Sequence, residues 1–76
     1  VVTAYVLVKA NTGEADRLHE EIAAIDGVSN VHIVAGDVDL IAKVVVDSPA
    51  DVKTIAADAI QGIDGIEDTE TYIAMD

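Results

Sequence analysis

Asp37 and Asp39 stand two residues apart behind Gly36 in the run Val34-Ala35-Gly36-Asp37-Val38-Asp39-Leu40-Ile41. Carboxylates at that spacing share one face of an extended chain and can receive an ammonium group, while the glycine lets backbone come close to a ligand. Asp and Gly are also the favoured residues of turns, so turn chemistry is the competing reading. Thr69 and Thr71, close to Glu67 and Glu70, offer hydroxyls that either hold a ligand carboxylate or make ordinary cross-strand contacts. The two imidazoles are His19, expected to be solvated on a helix, and His32, on a strand where only a cavity would make it a base. Neither has a nucleophile beside it in the sequence, and a phosphate loop, a nucleophile elbow and zinc spacing are all missing. Two carboxylates without converging ligands are a poor metal site. The expectation is a binding protein with no catalytic residue, no cofactor and no metal.

The elements that must position these groups follow from periodicity. Val1 to Lys9 reads as a strand, and a helix from about Glu14 to Ile25 follows, capped by Asn11 or Thr12 and buried through Leu18, Ile22 and Ile25. Asp26-Gly27 closes it, with Gly27 in the left-handed position after the last turn. Val28 to Ala35 gives a second strand, Gly36-Asp37 a tight hairpin corner, and Leu40 to Val46 a third strand. Ser48-Pro49 starts a second helix that runs to about Gln61, buries Val52, Ile55, Ala56, Ala59 and Ile60, and stops at Gly62. Glu67 to Met75 gives a last strand.

The chain also repeats itself. Ile25-Asp26-Gly27-Val28 returns as Ile63-Asp64-Gly65-Ile66, and the same offset of 38 takes Val8 to Val46 and Ile22 to Ile60. One domain, 1–76, is thus built from two βαβ halves, 1–38 and 39–76. The fold class is α+β: a ferredoxin-like βαββαβ unit with a four-stranded antiparallel sheet and two helices on one face.

Seventy-six residues give a small core, and the chain has no cysteine to staple it, so association is the remaining source of stability. With 15 acidic residues against 4 basic ones the net charge is -11. A direct nucleic-acid surface is excluded, because binding a polyanion requires clustered Lys and Arg. The same balance fits a protein adapted to a high-salt cytoplasm, where salt screens self-repulsion. The apolar run Val1 to Val8 is too short to cross a bilayer, so no membrane is expected and the location is cytoplasmic. Regular alternation leaves Tyr5, Leu7, Ile41, Val45, Tyr72 and Ala74 on the sheet face that the helices do not cover, which predicts a homodimer packed sheet to sheet, a dimeric α+β barrel, with further association.

Three segments together resemble the effector-binding domain of the Lrp/AsnC transcriptional regulators, the RAM domain: Ala4-Tyr5-Val6-Leu7-Val8, Ala35-Gly36-Asp37-Val38-Asp39-Leu40, and Gly65 to Ile73. The middle one is similar to the family's threonine-glycine-acid-x-aspartate-leucine signature, with Ala35 in place of the threonine. The resemblance implies a small-molecule effector, an amino acid or a related metabolite, bound between dimers that assemble into an octamer-like ring or disc. It implies Gly36, Asp37 and Asp39 as ligand contacts, with Thr69 and Thr71 as supports from a neighbouring subunit. Without a helix-turn-helix unit the chain looks like a stand-alone form that modulates full-length Lrp/AsnC regulators by co-assembly. Three other readings share the architecture. A cofactor-free monooxygenase- or isomerase-like barrel would need a cavity against His32. An ACT-like module would bind its ligand at Asn11-Thr12-Gly13. A pure oligomerisation module would bind nothing.

Overall fold

The computed structural model describes residues 1–11 and 13–76. Val2–Ala10 forms β1, Ala15–Ala23 α1, Val28–Ile33 β2, Leu40–Val46 β3, Pro49–Lys53 α2 and Ile66–Ile73 β4, and a π-helical stretch, Thr54–Ile60, continues α2. The strands lie in the order β2-β3-β1-β4, each pair of neighbours antiparallel. This is the ferredoxin-like βαββαβ arrangement.

β1 and β3 are the central strands, and alternation decides which of their residues go inside. Ala4, Val6, Val8 and Ala10 of β1 and Leu40, Ala42 and Val44 of β3 are buried against Leu18 and Ile22 of α1 and Val52, Ile55, Ala56 and Ile60 of the second helix. β2 adds Val31 to this core, and β4 adds no fully buried residue. Ala59, expected inside, is half-buried.

Both ends of the repeat behave alike at the glycines. Gly27 and Gly65 hold φ of +97° and +101°, a left-handed conformation that a Cβ resists and that lets each chain turn from helix into strand. The helix starts differ from expectation. The residue before α1 is Glu14, without a side-chain cap; its N–H donates to the Asn11 carbonyl at 3.2 Å, so Asn11 contributes backbone rather than side chain. Thr12, the other expected cap, lies outside the described residues. Ser48 does precede α2, but its hydroxyl donates to Asp51 Oδ2 at 3.2 Å instead of accepting a backbone N–H.

The π-helical stretch was not anticipated. Gln61 N–H donates to the carbonyl of Ala56, five residues back, at 3.3 Å. Where the widening begins, the Thr54 hydroxyl donates to the Ala50 carbonyl at 3.2 Å, sharing that acceptor with the Thr54 backbone N–H.

The central hairpin is also looser than expected. β2 ends at Ile33, and 34–39 is a loop closed by Val34 N–H donating to the Asp39 carbonyl at 2.9 Å. Gly36 is not among the glycines with positive φ, and a Cβ built on it meets nothing within 4 Å. Its backbone is therefore open to an approaching group, while its conformation does not itself demand glycine.

Candidate ligand-binding site

The 34–39 loop is pinned to the end of β1 from two directions. Asp39 N–H donates to the Val8 carbonyl at 2.9 Å, and Asp39 Oδ2 accepts the Ala10 N–H at 2.9 Å. Asp39 is half-buried and fixes the loop against the sheet, so one of its carboxylate oxygens is already engaged within the chain. Asp37, two residues earlier, is exposed. The two lie outside any strand, so strand alternation does not set their side chains on one face, and Asp37 lines a pocket that Asp39 does not.

Asp37 instead joins residues that the sheet brings to it. Leu7 and Lys9 of β1, Val38 of the loop, and Asp68, Thr69 and Glu70 of β4 surround a shallow pocket of about 190 Å³ with Asp37 at its rim. Register explains the set: Leu7 lies opposite Glu70, and Lys9 opposite Asp68. The pocket therefore carries carboxylates and a single ammonium, that of Lys9. Among the described residues the ion pairs are those of Arg17 with Glu14 and Glu21, which leaves Lys9 available to an anion. Glu70 accepts a hydrogen bond from the Tyr72 hydroxyl at 2.6 Å; that bond and the carboxylate's charge hold the Tyr72 hydroxyl above its usual pKa.

Of the five residues singled out in the sequence, Asp37 and Thr69 line this pocket, and Gly36 and Asp39 stand in the loop beside it. Thr71 does not join them; it lines a different groove, under the second helix. Lys9, Asp68 and Glu70 were missed. The repeat and the alternation along β1 and β4 place them beside the loop once the strand order is known, but nothing local in the sequence marks them.

Neither imidazole is placed for proton transfer. His19 is half-buried, with its Nε2 3.0 Å from the Val31 carbonyl, rather than solvated. His32 is exposed on β2 and lines none of the cavities described. A larger concavity of about 400 Å³ lies between the Asp26-Gly27 turn and the start of α2, walled by Asp26, Asp47, Asp51 and Ile55. Acids without a counter-charge form its polar wall, and among the described residues no group of His, Cys, Asp or Glu is gathered to hold a metal ion. Among the described residues, no helix is long and apolar enough to cross a membrane.

Comparison with known proteins supplies what geometry alone does not. The family model described as the Lrp/AsnC ligand binding domain matches residues 3–76. An uncharacterized HTH-type transcriptional regulator of Pyrococcus abyssi is 36% identical over 97% of this chain and 51% of its own length; the chain spans about half the length of the curated relatives it matches. A solved structure from Thermus thermophilus superposes with a TM-score of 0.96 at 30% identity, covering 100% of this chain and 95% of that one. A transcriptional regulator of Neisseria meningitidis, solved as its L-Met complex, superposes at 0.86 with 12% identity over 99% of this chain and 50% of that one, a likeness of fold alone.

Proposed function

The chain belongs to the Lrp/AsnC ligand-binding domain family, and from that membership we propose that it senses an amino acid or a related zwitterion beside the 34–39 loop and transmits binding through subunit assembly. The observation that carries this reading is the pocket in which exposed Asp37 and unpaired Lys9 flank one small concavity. A zwitterion needs those two charges: a carboxylate for its ammonium, and a cation or backbone N–H groups for its carboxylate. The open backbone at Gly36 supports the same approach. Asp39 holds the loop in place, and Thr69 and Thr71 are assigned as supports, Thr69 within the pocket and Thr71 toward a neighbouring subunit.

Assembly follows from the uncovered sheet face. Tyr5, Val45 and Tyr72 are 40%, 36% and 52% exposed, and Tyr5 lies directly opposite Tyr72 on adjacent strands. Packing two such faces together buries this apolar surface and adds the stability that a chain of this length needs. In this reading homodimers join into an octamer-like ring or disc, and a ligand touching more than one subunit favours the assembly that completes its site. The role is regulatory rather than catalytic, exerted in the cytoplasm by co-assembly with full-length Lrp/AsnC regulators. The net charge of -11 supports a high-salt setting.

Calorimetry and thermal unfolding against the standard amino acids in molar KCl test the reading. A ligand at a hundredfold excess over its Kd adds about 2.7 kcal/mol, a rise in Tm on the order of 10 °C for a domain of this size. One or a few amino acids are expected to give it, and Asp37→Asn is expected to remove it. Silence across the whole set, or undiminished binding by Asp37→Asn, contradicts the proposal.

A further inference from the structure

The pocket beside the 34–39 loop is not balanced for a ligand of zero net charge. Its walls carry the carboxylates of Asp37, Asp68 and Glu70 against the single ammonium of Lys9. An amino acid with an uncharged side chain brings one charge of each sign, so it satisfies Lys9 and Asp37 and leaves two carboxylates without a counter-charge. Acids gathered in a concavity concentrate a negative potential there, and a ligand with one more positive charge complements it better.

Strand pairing sets the two remaining acids together. Asp68 and Glu70 stand two apart on β4, opposite Lys9 and Leu7 in register, so the four share one face of the sheet. Each acid is already held through one oxygen. Asp68 Oδ1 accepts the Thr69 N–H at 2.9 Å, and Glu70 Oε1 accepts the Tyr72 hydroxyl at 2.6 Å. Those bonds orient the carboxylates and, among the described residues, leave the second oxygen of each unengaged. Leu7 and Val38 add an apolar wall to the same pocket, against which an aliphatic stem can lie.

Given the sensing role proposed above, on which this step depends, we propose that the pocket selects a diamino acid, one whose aliphatic side chain ends in a second ammonium. Lys9 receives the ligand's carboxylate and Asp37 its backbone ammonium. The stem lies along Leu7 and Val38, and the terminal ammonium meets the free oxygens of Asp68 and Glu70. A compact ammonium has three donors that can reach single oxygens of two different carboxylates, whereas a planar guanidinium is matched to both oxygens of one. The arrangement therefore favours a lysine-like ligand over an arginine-like one, and both over a neutral or acidic amino acid. Asp68 and Glu70 are thus specificity-determining residues, and Glu70 takes its orientation from Tyr72.

Calorimetry of the whole chain in molar KCl, with free L-lysine, L-arginine and L-norleucine as probes, tests the selection, since norleucine keeps the aliphatic stem and lacks the terminal ammonium. Lysine is expected to bind about fivefold more tightly than norleucine, the gain of a well-placed solvated ion pair, and more tightly than arginine. Asp68→Asn with Glu70→Gln keeps the shape and the acceptor oxygens of both side chains while removing their charge, and is expected to bring the ratio of lysine to norleucine affinity down to about one. Asp16→Asn with Asp58→Asn removes the same charge from exposed positions on the two helices and is expected to preserve the ratio. Norleucine or arginine binding as tightly as lysine, a preference that survives Asp68→Asn with Glu70→Gln, or an equal loss in Asp16→Asn with Asp58→Asn overturns the proposal, the last by assigning the preference to net charge. Tighter binding of any neutral amino acid overturns the selection and leaves the sensing role standing; silence across all the standard amino acids overturns both.

Discussion

The two halves of the chain build the same corner from opposite chemistry. At the turn from α1 into β2, Gly27 sits under Ile55, whose Cδ1 is 2.5 Å from where a Cβ would be, with Val46 at 3.1 Å. At the equivalent turn into β4, Gly65 sits under Arg17, the residue 38 positions before Ile55, with Nη2 2.7 Å from the same imagined atom. Ile55 is a core residue, whereas Arg17 lies exposed, donating to the Asp64 carbonyl at 2.7 Å and to the carboxylates of Glu14 and Glu21. One backbone plan thus tolerates an apolar plug in the core and a solvated ionic clamp at the rim. Where the first half carries Leu18 and His19, the second carries Ala56 and Ala57, which line a groove beside β4. Repetition fixes the fold, and the two halves depart from it in their side chains.

Glycine substitutions break this comparison most strongly. Gly27→Ala adds left-handed strain to a clash with two packed side chains and is expected to cost about 2–4 kcal/mol. Gly65→Ala carries the same backbone strain against a flexible guanidinium and is expected to cost about 1–2 kcal/mol; urea unfolding measures both, and equal losses would mean that the two plugs are equivalent. Asp39→Ala, which frees the Ala10 N–H, is expected to cost about 1–2 kcal/mol, whereas Asp37→Ala in the same loop is expected to stay within about 0.5 kcal/mol. Arg17→Ala comes next, with a small loss by the same unfolding assay, since the guanidinium and its partners are solvated. Smallest is the titration of Tyr72. Its pKa is raised in the folded chain, so the stability from its bond to Glu70 is fully present below the ordinary tyrosine value and is lost as pH rises through the raised one. Tyrosinate absorbance should show Tyr72 titrating above its usual value, and Glu70→Gln should bring it down.

Much of this was legible from residue order. β-branched alternation and the recurrence of Ile-Asp-Gly gave four strands, two helices and their antiparallel arrangement, because burial of every second residue leaves one register. Three features were not legible, each for a local reason. The π-helical stretch shows in the Gln61 N–H reaching back five residues to the Ala56 carbonyl, and propensity is silent on that. The looseness of 34–39 depends on Asp39 bonding to β1, a contact 29 residues away in sequence. His19 looks like any solvated helix residue until β2 places the Val31 carbonyl beside it. The candidate site was half readable: Asp37 and Gly36 stand out as a pattern, but Lys9, Asp68 and Glu70 reach the pocket only through the pairing of the first strand with the last.

Sedimentation velocity in molar KCl at micromolar concentration, with and without the amino acid that raises Tm, tests most directly whether ligand and assembly are coupled. The prediction is a species of at least twice the 7.9 kDa chain mass, shifted to a larger assembly by ligand in the natural sequence and unshifted in Asp37→Asn. A 7.9 kDa monomer under every condition would contradict the account.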